Sequence, residues 1–422
     1  MNDTLQNLMR AAARLTQAGR LNEATQALQR ALRGAAGADA MRPATARTGT
    51  PGMPAAGTAA PEAEPLVIDG CVFEMDAPAA AAASAPPASG SSPADGPQAR
   101  TTPAPQGDAE ATPPTGRGEF TGGSYTHGSQ TRRYKLYSPP GPAGRRLPLV
   151  VMLHGCTQDP DDFAAGTGMN ERAREQGFFV LYPAQSQSAN PQRCWNWFKH
   201  NHQQRDRGEP ALIATLTQAV MKQHGIDPRR VYIAGLSAGG AMAAIVAAAY
   251  PDLFAAVGVH SGLPGGAASD VAGALAVMKT GVAGPGLKPR ARTPGAAPAT
   301  AAPTGHVPTI VFHGDQDPTV HPRNGEQVIS AALDSAAAGA GASPTAAASS
   351  PRVERGVSAR GRHYTRSVHP GGEGRALAEH WLVHGAGHAW SGGQAEGSYT
   401  DASGPDATSE MLRFFFEHPR GH

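Results

Sequence analysis

The stretch from Val231 to Ala244 limits most sharply what this chain can become. A short apolar run, Val231 to Ala234, is joined to an alanine-rich run, Ala241 to Tyr250, through Gly235-Leu-Ser-Ala-Gly239, and Pro251 ends the second run. An apolar segment of strand length followed by a run of helix formers reads as strand, sharp turn, helix, with Ser237 at the apex. G-x-S-x-G at such a turn is a nucleophile elbow. Its glycines are a matter of space: strand and helix close on a strained serine only if the flanking residues lack Cβ atoms. Ala238 then carries one of the first free amides of the helix, a donor for an oxyanion aided by the helix dipole. In a chain this rich in glycine the bare pattern also arises as an ordinary turn, so the other motifs carry the decision.

A serine is a weak nucleophile without a base, and the base needs an acid to orient it. On this kind of elbow the acid and then the histidine follow the serine in the chain. The apolar run Pro308 to His313 is followed by Gly-Asp-Gln-Asp-Pro, which offers Asp317 as the acid and Asp315 as the alternative. His388 lies in the glycine-rich segment His384-Gly-Ala-Gly-His388, after the last apolar run, and is the expected base. His380, His384 and His388 are each four apart, the spacing of a metal-binding helix face, but Gly385 and Gly387 argue against a helix there. No metal and no cofactor are expected. Cys156, in His154-Gly-Cys-Thr-Gln158 after the apolar run Leu149 to Leu153, is the candidate for the second oxyanion amide. Trp195, Trp197 and Phe198 are read as an apolar wall for substrate, or else as core.

The remaining apolar runs, Leu147–His154, Gly177–Pro183, Ala255–His260 and a last one near Ala378–Val383, alternate with helical stretches such as Asp161–Glu175 and Ala211–His224. That alternation predicts an α/β fold, a mostly parallel sheet with helices on both faces. Arg133 to Tyr137 alternates and is expected as an antiparallel edge strand. The packed domain is set at residues 119–418, with low-complexity surface insertions at about 280–306 and 335–360. Ahead of it, residues 1–34 read as a helical hairpin that looks like a single tetratricopeptide unit, a candidate contact for a protein partner or a polyester granule. Residues 35–118 are Ala, Pro, Gly, Ser and Thr with few large apolar side chains, and are expected to be a disordered linker. The 52 glycines and 38 prolines, about a fifth of the 422 residues, fit such a division. A net charge of +2 points to no nucleic-acid partner, and no apolar run is long enough for a transmembrane segment.

Taken as a set, His154-Gly-Cys-Thr-Gln, Cys194-Trp-Asn-Trp-Phe, Gly235-Leu-Ser-Ala-Gly-Gly-Ala-Met, His313-Gly-Asp-Gln-Asp-Pro-Thr-Val and Gly387-His-Ala-Trp-Ser-Gly-Gly resemble the polyhydroxybutyrate depolymerase family of esterases, over roughly residues 120–418. Feruloyl and acetylxylan esterases are similar. The resemblance implies an α/β-hydrolase fold, a Ser237–Asp317–His388 triad, an oxyanion hole from Cys156 and Ala238, and a substrate wall near Trp195 and Trp197. It also implies a serine carboxylic ester hydrolase acting on polyhydroxyalkanoate oligomers or on short-chain or aryl esters. The alternative is a granule- or partner-binding protein with a vestigial hydrolase domain. Family members are usually secreted, so the resemblance implies an extracellular protein. Met1 to Arg10 does not read as a secretory leader, which leaves the cytoplasm as the alternative. Cys156 and Cys194 both fall inside family blocks, where they pair in an oxidising compartment or remain thiols in a reducing one.

Overall fold

The structure, a computed structural model, describes residues 116–141, 144–281, 305–339 and 350–421. The N-terminal hairpin, nearly all of the linker, Cys71 and most of the first insertion lie outside the described residues.

Ten strands form one sheet in the order β1-β2-β4-β3-β5-β6-β7-β10-β9-β8. In chain order they are β1 (Glu119–His127), β2 (Gln130–Ser138), β3 (Leu149–Leu153), β4 (Phe179–Pro183), β5 (Val231–Leu236), β6 (Ala256–His260), β7 (Thr309–Gly314), β8 (Arg352–Val357), β9 (His363–Pro370) and β10 (Ala376–Val383). The strands from β4 to β10 in this order are parallel, and an antiparallel hairpin closes each side. The chain goes from β3 to β4 on one side and then to β5 on the other, so the strand order reverses between β3 and β5. Open sheets of this kind bind ligands at the carboxyl ends of the strands beside such a reversal.

Every residue of β3, β5, β6 and β7 is buried, which is why these strands appear in the sequence as unbroken apolar runs. Alternate side chains still go to opposite faces: Leu149, Val151 and Leu153 enter one core, Val150 and Met152 the other. The first core is covered by α3 (Gly208–His224) and α4 (Ala238–Ala249), with α5 (Val271–Thr280) and α6 (Arg323–Gly339) beside them. The second is covered by α1 (Pro160–Thr167), α2 (Met169–Gln176) and α7 (Ala407–Glu417). Asp406 caps α7 by accepting from the amide of Ser409, and the helix buries Met411, Leu412, Phe414 and Phe415. Phe415 stacks on Tyr232 of β5 with ring centroids 5.1 Å apart.

Some expectations change. The strand around Arg133 to Tyr137 is not an edge, because β1 pairs along its whole length and takes the outer position. The helical stretch Asp161–Glu175 is two helices, since Gly168 between them takes φ 60°. The stretch 335–360 is not wholly an insertion. Its start continues α6 to Gly339, and Arg352–Val357 is the outermost strand of the sheet. Solvent on one side and a Glu354–Arg366 ion pair at 3.1 Å stand in for the apolar alternation that would have announced that strand. Among the described residues no helix is long and apolar enough to cross a membrane.

Replacing Phe415 by Ala removes a fully buried ring stacked on the central sheet. The expected loss is about 3 kcal/mol or more of unfolding free energy, measured by urea denaturation; a change below about 1 kcal/mol would mean that α7 is not part of the core.

Candidate active site

Ser237 stands between the end of β5 and the first residue of α4 with φ 57° and ψ −120°, a conformation that costs a non-glycine residue energy. The surrounding backbone holds it there. Its amide donates to the carbonyl of His260 at 2.8 Å, and its own carbonyl accepts from Ala241 at 2.9 Å. The helix can cross so close only because a Cβ on Gly239 would strike the carbonyl oxygens of Leu153 and His154, and one on Gly235 would strike the backbone of Gly239. Ser237 is 6% exposed.

The two loops that follow β7 and β10 meet beside it. His388 Nδ1 lies 2.8 Å from Asp317 Oδ2. The other carboxylate oxygen of Asp317 accepts from the amides of Thr319 and Val320 at 2.9 and 2.8 Å. His313 Nε2 stands 3.5 Å from Oδ2 on the far side. Burial by itself would raise the Asp317 pKa, but the hydrogen bonds from His313 and His388 outweigh it and hold the carboxyl well below the ordinary carboxylate range. Facing an ionised carboxylate, His388 Nδ1 carries its proton, so Nε2 is the ring atom with a lone pair. Asp315, the alternative acid, is bound elsewhere: it contacts His384 Nδ1 at 2.8 Å and not His388. His380 stays on β10, so the three histidines at four-residue spacing do not converge.

The loop after β3 brings Cys156 to the same place. Gly155 donates its amide to Gln158 Oε1 at 2.9 Å, and Thr157, with φ 65°, donates its amide to Gln192 at 2.7 Å. Both neighbours of Cys156 are thereby engaged, while among the described residues no hydrogen bond takes the amide of Cys156 itself. Ala238, at the first position of α4, has the free amide of a helix start. Cys156 is disulfide-bonded to Cys194. The Cys194 loop is anchored in turn by Glu209, which is wholly buried and accepts from the amide of Asn196 and from the side chains of Asn196 and Gln185. Burial works against ionisation of Glu209, yet these donors and His202 lower its pKa. His154 is buried, and burial depresses its pKa to about 4. Its Nε2 accepts from the Gln185 amide at 3.1 Å, and Nδ1 donates to the Gly155 carbonyl at 2.7 Å.

Ser237, His388, Cys156, Gly155, Gln158, Leu236 and Tyr399 line one cavity. The tryptophan wall expected from the sequence is not part of it. Trp195 is 0% and Trp197 4% exposed, both inside the core, and Trp195 donates Nε1 to the carbonyl of His154 at 3.1 Å. Trp195 therefore supports the loop after β3 from behind, and burial of the large indoles in the core overrides the groove reading.

The aromatic side chain that does face the cavity is Tyr399, which the sequence reading did not single out. It holds φ 53°, lies edge-on to the His388 ring at 6.5 Å, and places its hydroxyl 3.2 Å from Thr157 Oγ1. Gln158, quoted within a motif but given no role, joins Gly155 to Asp162 and Ser398. The Ser398-Tyr-Thr-Asp401 stretch has no periodicity or spacing that would have flagged it.

A serine elbow at the reversal of a doubly covered parallel sheet, with acid and histidine on the loops after the next strands, defines the class as an α/β-hydrolase fold. An acetyl xylan esterase from Aspergillus awamori shares that fold, with a TM-score of 0.50 over 70% of this chain and 99% of that one, at 19% identity. The model of the family described as esterase PHB depolymerase matches residues 132–350, and the chain belongs to this family. The matched span includes Ser237 and Asp317 and ends before His388. Poly(3-hydroxyalkanoate) depolymerase C of Paucimonas lemoignei is 36% identical over 183 residues, 43% of this chain and 43% of that protein. Feruloyl esterase B of Thermothelomyces thermophilus is 31% identical over 186 residues, 43% of this chain and 63% of that protein. The matches thus span less than two thirds of either relative.

Because the disulfide closes a 38-residue separation, its reduction is expected to cost about 3 kcal/mol of stability, seen as a lower urea midpoint with reductant than without. An unchanged midpoint would mean that the bond is not formed or not structural.

Proposed function

We propose that this protein is a serine carboxylic ester hydrolase that works through an acyl-enzyme. The observation that carries the reading is the contact between Asp317 and His388 at the rim of a cavity shared with Ser237 and the Cys156 amide. Ser237 Oγ attacks the ester carbonyl as His388 Nε2 removes its proton. The carbonyl π electrons move to oxygen, and that oxyanion is met by the amides of Cys156 and Ala238. When the tetrahedral centre collapses, the alkoxide leaves with the proton from Nε2. Water, deprotonated by the same nitrogen, then attacks the acyl carbon and releases the acid and Ser237. Asp317 keeps its negative charge throughout, holding Nδ1–H and stabilising the imidazolium that forms at each step.

The substrate we assign is a short-chain or aryl ester, or an oligomer of hydroxyalkanoate. Two kinds of support agree. The cavity beside Ser237 is walled by Leu236, Cys156 and Tyr399, an apolar and aromatic lining suited to an acyl or aryl group. The relatives bear the names of a poly(3-hydroxyalkanoate) depolymerase and a feruloyl esterase. The Cys156–Cys194 disulfide suits an oxidising compartment outside the cytosol, consistent with an extracellular enzyme.

Ser237→Ala is expected to lower kcat for p-nitrophenyl butyrate by about a thousandfold or more, with the fold intact by circular dichroism; wild-type turnover in that variant refutes the assignment. The pH dependence has a definite form. A carboxyl held far below the usual carboxylate range stays ionised near neutrality, so the acid limb of log(kcat/KM) should fall with unit slope, a single proton inactivating the enzyme. A slope of two would mean that Asp317 titrates as well.

A further inference from the structure

The loops that carry the proposed acid and base hold a second pair of the same kind, and the esterase reading does not use it. Val383 of β10 is in register with Gly314 of β7, so the next residues, His384 and Asp315, leave the sheet side by side. Asp315 Oδ2 accepts from His384 Nδ1 at 2.8 Å, and Asp315 Oδ1 accepts from the amide of Gly385 at 2.7 Å. His384 Nε2 accepts a hydrogen bond from the Thr365 hydroxyl on β9 at 2.8 Å, and its amide donates to the carbonyl of His363 at 2.9 Å. From the opposite side Arg362, at the turn between β8 and β9, donates Nη1 to the carbonyl of Gly385 at 2.9 Å while its other nitrogens hold Asp401 and Ser403.

His388 lies four residues further on, beyond Gly385, Ala386 and Gly387. Gly385 sits at φ 68°, and a segment with two glycines in five residues has little stiffness of its own. A partly exposed carboxylate–imidazole contact adds little to global stability. Here the same carboxylate also takes a backbone amide of the loop, and the guanidinium takes the carbonyl of the same residue. We propose that Asp315, His384 and Arg362 form a positioning clamp that fixes the His384–His388 loop, and with it the aim of the His388 ring. The clamp is distinct from the Asp317 contact, which orients the ring but not the backbone that carries it. Its effect on catalysis rests on the reading of His388 as the base.

Hydrogen exchange in peptides covering residues 384–390, read by mass spectrometry on the full chain, tests the clamp without any substrate. Asp315→Ala is expected to speed exchange there about twenty-five-fold, since two hydrogen bonds of roughly fivefold each are lost; unchanged exchange overturns the proposal. With p-nitrophenyl butyrate, Asp315→Ala should lower kcat about tenfold with KM within about twofold. Asp315→Asn, whose side-chain oxygen still accepts from Gly385, should recover most of that loss. An undiminished kcat in Asp315→Ala, or equal loss in both variants through KM, overturns the proposal. If Asp315→Ala does not fold, His384→Ala is read the same way, with exchange expected to rise about fivefold and no rise overturning the clamp. A wild-type protein inert toward the ester would sink the esterase reading alone, because hydrogen exchange still judges the clamp.

Discussion

Backbone meets backbone at Gly239, and the rest of the site follows from that approach. The helix Ala238–Ala249 crosses the end of β3 at a separation that admits no Cβ, because the carbonyl oxygens of Leu153 and His154 occupy the space. A helix standing further off would release Ser237 from its strained φ and pull its amide from the His260 carbonyl. It would also separate Ala238 from Cys156, whose amides the proposed mechanism needs on one oxygen atom. The Gly155 position lies 3.7 Å from the Ser237 Cβ when given a Cβ of its own, so the elbow and the loop after β3 are in contact through their smallest parts.

Around this crossing the ionisable groups are sorted by burial. His154 and His260 are enclosed, and burial takes their pKa values to about 4 and about 3. Each uses one ring nitrogen as donor and the other as acceptor, so they act as neutral struts. His260 accepts the amide of Ser391 at 2.9 Å and stacks between Phe312 and Trp390. Asp317 is enclosed as well but stays charged, because N–H groups of Thr319, Val320 and His388 converge on it. His388 alone of these three imidazoles reaches the cavity, with a side chain 10% exposed. The cavity that His388 shares with Ser237 is thereby backed by groups that do not change charge near neutrality.

The parallel strands, the elbow, the acidic loop and the histidine loop could all be read in the chain, because each is a local pattern. Burial on both faces writes unbroken apolar runs, and a tight crossing writes glycine. The outer strand Arg352–Val357 could not be read this way, since its side chains meet solvent and its partners are charged. Trp195 and Trp197 misled for the opposite reason. Large aromatic residues beside a motif suit a groove and a core equally, and only the packing behind His154 distinguishes them. Asp317 was preferred to Asp315 from the sequence, but the physical reason lies in the register, which sends Asp315 to His384 and leaves Asp317 for His388.

By itself the sequence determined the class of fold and the chemical types at the site, since strand burial, turn geometry and nucleophile placement are enforced within a few residues. Tertiary structure decided the pairings: which aspartate meets which histidine, that Cys156 bonds Cys194, and that Tyr399 forms the wall of the cavity. Those pairings join positions from 38 to 242 residues apart in the chain. Distance along the chain carries no information about them; the order and register of the strands do.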